Sequence, residues 1–226
     1  MSLPPRVPAR RRLSVAVLAS VAAAAMAGIV VAVAPHDLRT LIERGIDWVR
    51  AAGPGAFFIA MALVPAPLAW FTIPAGEAFA GELTLGGVIA AAALAVAVQL
   101  TLAYGIARHG LRPAVEHLLK KRGYHVPRVT AENALAVALL VRLVPGPPLI
   151  VGSCILALAE VPFRLYLVVS WLVALPWVCA GVILGRGILH GDFALVAAGA
   201  GLVVAAVVAA RLVRRRWLRG KTRETA

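Results

Sequence analysis

An all-α integral membrane protein is the fold class this sequence predicts, and three observations carry it. Hydrophobic residues fill 62% of the 226 positions, against roughly 45–50% in a soluble domain. They are gathered into runs long enough to cross a bilayer, which takes ~20 residues at 1.5 Å rise per residue. The cations behind the formal net charge of +13 cluster at the ends of those runs, where they orient a membrane protein. The predicted architecture is four full transmembrane helices plus two opposed re-entrant helical hairpins in an inverted repeat.

The chain opens on a basic stretch, 1–12, carrying Arg6, Arg10, Arg11 and Arg12. The apolar run Leu13–Ala34 follows. It is longer than the ~7–15 residues of a signal-peptide core, so it reads as an uncleaved first span. Asp37–Val49 reads as an amphipathic helix, with Leu38, Leu41, Ile42, Ile46 and Val49 on one stripe opposite Arg39, Glu43, Arg44 and Asp47, a pattern suited to the membrane interface. Ala56–Gly81 is apolar but interrupted by Pro65, Pro67, Pro74 and Gly76. Proline removes a backbone donor and clashes with the preceding turn. The run therefore divides into two legs, each too short to cross, which is the signature of a re-entrant hairpin.

Leu83–Ala107 is the second span, and Gln99 in its middle reads as a helix-to-helix hydrogen-bonding residue. The connection after it holds Arg108, Arg112, Lys120, Lys121, Arg122 and Arg128 against Glu116, with a second amphipathic segment at Pro113–Arg122. Ala134–Ala159 repeats the interrupted pattern with Pro145, Gly146, Pro147, Pro148 and Gly152. Leu165–Leu184 and Phe193–Val213 are the last two spans, and 214–226 is a basic tail. Residues 13–213 thus form a single membrane domain. The positive-inside rule places both termini and the central connection in the cytoplasm, with Arg39–Arg50 and Arg186–Asp192 on the other side of a cell inner (plasma) membrane. The first hairpin then enters from outside and the second from the cytoplasm.

This pattern excludes several classes. The C-terminal cations Arg211, Arg214, Arg215, Arg216, Arg219, Lys221 and Arg223 directly follow an apolar span, so their expected partner is anionic lipid and not nucleic acid. Cys154 and Cys179 lie inside apolar runs and read as small hydrophobes. There is no metal-ligand spacing, nucleophile elbow or phosphate loop, so no enzymatic activity, metal or cofactor is expected. An oligomer is compatible with the sequence.

Leu63-Val-Pro65-Ala-Pro67 recurs as Leu143-Val-Pro145-Gly-Pro147. In each copy a small-residue leg follows, then an acidic residue (Glu82, Glu160), then a full span. The two copies enter from opposite sides, as inverted transporter repeats do. Two ionisable residues stand in these units. Arg142, just before Pro145, costs ~2.5–3.5 kcal/mol on the insertion scale and should face a cavity or a partner. Its planar fork suits phosphate or carboxylate. Glu77 follows Pro74-Ala-Gly76 and is a candidate proton carrier. A structural salt bridge between Arg142 and Glu77 across the repeat interface is one competing reading, and a shallower hairpin with Glu77 near the surface is another. Gly76 and Gly152 allow close approach of a ligand or simply of a neighbouring helix. Glu160 and Arg164 flank Val161-Pro162-Phe163 and read as interfacial anchors or secondary transport groups.

In the order Pro74-Ala-Gly76-Glu77-Ala-Phe-Ala-Gly81, Tyr104-Gly-Ile-Ala-Arg108, Arg142-Leu-Val-Pro145-Gly-Pro147, Gly152 and Val161-Pro162-Phe163-Arg164-Leu-Tyr166, the sequence resembles the DedA/VTT-domain family, also called the SNARE-associated Golgi protein family. The resemblance covers about Trp48 to Gly187. It implies opposed re-entrant hairpins and movement of lipids between leaflets. In bacterial members these are polyprenyl-phosphate carriers or phospholipids, with a link to the proton gradient. Eukaryotic relatives look like phospholipid scramblases. Glu77 matches the family's acidic residue in the first hairpin, and Arg142 its R-x-x-P arginine. One position departs. Pro148 stands where bacterial members usually carry a second arginine, and the Pro-rich version looks more like the Golgi-type branch. The function expected is a lipid transporter or scramblase coupled to protons, with an ion- or proton-coupled solute transporter and a non-transporting membrane assembly factor as alternatives. The candidate substrate-binding residues are Arg142, Glu77, Pro145, Pro147, Gly152, Pro74 and Gly76.

Overall fold

The computed structural model describes residues 36–113, 117, 129–143 and 149–224. The expected first span Leu13–Ala34, the basic N-terminus, most of the central connection, and Pro145 and Pro147 lie outside the described residues. Six α-helices and one π-helical turn make up what is described: α1 (His36–Leu63), α2 (Leu68–Gly105), the π turn Ile106–Leu111, α3 (Ala131–Leu143), α4 (Leu149–Leu158), α5 (Phe163–His190) and α6 (Phe193–Glu224). No strand occurs among the described residues. Among the described residues four stretches are long and apolar enough to cross a membrane: Glu43–Leu63, Leu68–Leu111, Phe163–His190 and Phe193–Val213. The last three contain the expected spans Leu83–Ala107, Leu165–Leu184 and Phe193–Val213. The first joins the end of the amphipathic segment to the leg before Pro65, and it is broken at Gly53, whose φ of 75° and ψ of 158° leave the helix.

One hydrogen bond establishes the course of α2. Gln99 Nε2 donates to the carbonyl of Val64 at 2.9 Å. Were α2 straight, Gln99 would stand about 45 Å from the Leu68 end. The helix instead reverses at Thr84, which has φ 61° and ψ 161°. A β-branched residue strongly disfavours that region. Thr84 is held there by its role at the start of the next helix, where its hydroxyl accepts from the Gly87 amide at 3.3 Å, a side-chain cap. The leg before Thr84 folds back on the end of α1, with Phe57 meeting Phe71 and Phe79 edge-on at ring-centroid separations of 5.7 and 5.3 Å.

The chain between Ala131 and α5 takes a similar course. At one end of the α3–α4 pair the Val129 amide donates to the Ala159 carbonyl at 3.0 Å. At the other, Arg142 reaches the Leu149 carbonyl. The two helices are therefore antiparallel legs joined at 144–148. The chain then reverses at Glu160, which with Thr84 is one of the two non-glycine residues of positive φ among those described.

The long helices after the two reversals lie side by side. Tyr104 donates to the Val161 carbonyl, Tyr166 to the Leu100 carbonyl and Trp171 to the Ala93 carbonyl. Partner numbers fall in α2 as they rise in α5, so the two helices are antiparallel and the reversals at Thr84 and Glu160 sit at opposite ends of the molecule. Between these helices lies the main core, with Leu100, Leu156, Val161, Tyr166 and Val178 buried. α5 ends on Gly191, whose φ of 71° is the left-handed C-cap that glycine supplies most cheaply. Asp192 caps α6 at once, its Oδ1 accepting from the Ala194 and Leu195 amides. α6 continues as helix through the basic tail to Glu224.

Candidate functional site

α3 carries Arg142 on its last turn, and the short α4 and the first part of α5 close around it. Its Nε donates to Ser170 Oγ, Nη1 to the Leu149 carbonyl and Nη2 to Ser153 Oγ, each at 2.8 Å. Ser153 in turn donates to the Leu149 carbonyl at 2.8 Å. The Tyr166 ring lies against the guanidinium, its centroid 5.4 Å from Cζ, within cation–π range. Ser153, Ser170 and Tyr166 are all fully buried. Gly152 makes the room, since a Cβ there would stand 3.0 Å from Nη1.

Every group that holds Arg142 is neutral. Among the described residues no carboxylate pairs with it, and the tip sequence 144–148 contains none. The arrangement fixes a planar cation among apolar helices and, among the described residues, sets no carboxylate against it. Such a group attracts an anion that arrives without its hydration shell.

Glu77 lies elsewhere. Its Oε1 accepts from Arg50 Nη2 at 3.2 Å, and its Oε2 stands 2.6 Å from His190 Nδ1. The carboxylate is mostly buried while His190 is half exposed. Arg50 also meets Asp47 at 3.4 Å. The competing pairing of Glu77 with Arg142 is absent. Arg142 is bonded to Ser170 and Glu77 to His190, and the stretch of α5 between those residues rises about 30 Å. The two sequence-predicted ionisable residues therefore belong to opposite parts of the molecule. Arg39–Arg50 and Arg186–Asp192, expected on one face, do meet, because Arg50 and His190 share this carboxylate.

Pro74 sits inside the leg before Thr84. Gly76 on the same leg packs against α5, where a Cβ would run into the Val182 carbonyl. Its close approach is to a helix backbone. On α5, Gly181 and Gly185 face Thr72 and the Ile73 carbonyl in the same way, a small-xxx-small contact. Glu160 pairs with Arg112, which ties the reversal before α5 to the end of the π turn. Arg164 is exposed on the first turn of α5. Gln99 makes the expected helix-to-helix bond, to Val64, and its Oε1 is buried without a partner among the described residues.

Sequence reasoning missed Ser153, Ser170 and Tyr166 around Arg142, and Arg50 and His190 around Glu77. The serines had a signal, being hydroxyls inside otherwise apolar runs, and so did Gly181-Val-Ile-Leu-Gly185.

These features define a multi-pass α-helical membrane protein with an arginine fixed among its helices by neutral partners. Comparison with protein-family models, with curated proteins and with solved structures finds no match for the chain.

Proposed function

We propose that the protein moves phosphate-bearing lipids between leaflets, with Arg142 as the head-group contact, as the resemblance to the DedA/VTT-domain family implies. The observation that carries this reading is a guanidinium held by Ser153, Ser170 and the Leu149 carbonyl, with no carboxylate against it among the described residues. A phosphodiester or phosphomonoester would complete it, while the acyl or prenyl tails remain in the bilayer.

The two leg–tip–leg units are read as opposed re-entrant hairpins forming an inverted repeat. Three things support this. Each unit ends in a positive-φ reversal, the spans that follow are antiparallel, and the tip near Val64 meets α2 at Gln99, about two-thirds of the way along its second half. Irregular backbone at that depth is tolerated where it is buried in protein or lines a polar cavity. Glu77 on this reading lies near a membrane surface. Its protonation would act on the packing of α1, α2 and α5 at that end and reach Arg142 only through the helices.

The test is lipid movement in liposomes containing the purified chain, using fluorescent phospholipid and a polyprenyl phosphate, with and without a pH gradient. Movement by wild-type protein that is lost in Arg142→Ala is the expected result, and dependence on the gradient would mark a coupled transporter. If folded wild-type protein moves neither lipid, the proposal fails and solute transport is the next reading to test.

Orientation can be checked separately. In a background lacking Cys154 and Cys179, cysteines at Arg50 and His190 are expected to react with an impermeant maleimide from the extracytoplasmic side. A cysteine at Pro113 is expected to react only from the cytoplasmic side. Labelling of 50 and 190 from different sides would overturn this topology.

A further inference from the structure

The π turn Ile106–Leu111 interrupts the end of the α2 span, with the Arg112 amide reaching back to the Ala107 carbonyl. Such turns are rare and concentrate at functional sites. This one carries Arg108, which is half-buried, and whose Nη1 is fully buried with no acceptor among the described residues. A guanidinium is always charged, and a buried donor of that kind without an acceptor is strongly unfavourable. Arg112, next on the same helix, is bonded to Glu160. Tyr104, one turn before Arg108, donates its hydroxyl to the Val161 carbonyl and meets the tilted Phe163 ring at a centroid separation of 5.3 Å. Arg164 stands beside Phe163 on the first turn of α5, and His109 is exposed. The neighbourhood is thus rich in cations, and Glu160 is paired with Arg112 among them.

Arg108 directly follows the apolar run ending at Ala107, which puts it at head-group depth when Leu85–Ala107 crosses the bilayer. The anion concentrated at that depth is lipid phosphate, and guanidinium matches phosphate geometry. We infer that Arg108 anchors a second phosphate-binding site, distinct from Arg142, which holds an anionic phospholipid head group against the end of α2 and the start of α5. Bound lipid supplies the acceptor that none of the described residues provides and ties the π turn to the Glu160 reversal.

The test compares thermal unfolding of the full chain in neutral detergent, then with phosphatidylglycerol, phosphatidylcholine or inorganic phosphate added. Arg108→Met removes the unpartnered donor, so in neutral detergent it should melt no lower than wild type. Phosphatidylglycerol should raise the midpoint of wild type, with the concentration giving half the effect about tenfold higher in Arg108→Met. Arg44→Gln, which removes an exposed cation of α1, should respond as wild type does. Equal responses of wild type and Arg108→Met to phosphatidylglycerol would overturn the site. An equal response to inorganic phosphate, dependent on Arg108, would uphold the site but assign it to free phosphate. Should Arg108→Met fail to fold, Arg108→Lys keeps the charge without the fork and should show the weakened lipid response.

Discussion

Arg142→Met is expected to fold, to melt no lower than wild type, and to cut lipid movement at least about tenfold. The reason lies in what the guanidinium leaves behind. Its three acceptors are two serine hydroxyls and one carbonyl, and Ser153 already donates to that carbonyl. Ser170 can turn to its own helix backbone, as serine does inside membrane helices. No buried donor is stranded, and methionine fills a similar volume. Replacing a buried charge by an apolar group of like size is often neutral or stabilising. The reverse experiment has the opposite sign. Ser153→Ala with Ser170→Ala keeps the charge and removes two of its acceptors. This should cost roughly 1.5–3 kcal/mol for each lost bond, and adding Arg142→Met to that pair should recover most of the loss. Transport by Arg142→Met at the wild-type rate would remove Arg142 from the mechanism. A melting temperature well below wild type would make its role structural. Arg142→Lys should fall between, because a point charge cannot span acceptors set at three corners of a planar fork.

Sequence reasoning located the breaks better than the contacts, for a physical reason. Proline and glycine act locally. The interruption after Leu63, the one after Leu143, and the starts of the long spans near Thr84 and Glu160 could therefore be anticipated within a few residues. Gln99 was also legible as a helix-to-helix donor, since an amide in the middle of an apolar span has few other roles. What Arg142 and Glu77 would touch was not legible. Glu77 meets His190 across 113 positions, half the chain, and nothing in either local sequence records the other. Both charged residues stand in the hairpin units, and a salt bridge between them is one reading of the sequence. Their places along the legs are not equivalent, however. Arg142 sits beside its tip, whereas Glu77 lies well beyond its own, toward the Thr84 reversal. The course of α2 beyond Pro74 had to be seen before that difference could matter.

Gly185→Leu is expected to prevent assembly of the membrane domain, at a cost above about 3 kcal/mol, seen as loss of a monodisperse peak on size exclusion in detergent. Gly181 and Gly185 lie four residues apart on one face of α5, and the leg of α2 from Thr72 to Gly76 rests directly on them. At Gly185 the obstruction is the Ile73 carbonyl, and at Gly76 it is that of Val182. Both are backbone, so no rotamer change relieves them and the helices must move apart. Separation would also open the buried cluster of Phe57, Ala75, Phe79 and Val182 and pull Glu77 from His190 just beyond it. Gly181 differs, because what a methyl would meet there is the Thr72 side chain, whose hydroxyl bonds the Leu68 carbonyl at 3.0 Å. Gly181→Ala should therefore be milder than Gly185→Ala. Thr72→Ala removes the hydroxyl but leaves a Cβ 2.8 Å from the added methyl, so it should partly rescue Gly181→Ala and leave Gly185→Ala unimproved, a coupling that melting temperatures of the two double variants would read directly. Rescue of both, or of neither, would mean that the leg of α2 does not rest on α5 through these glycines.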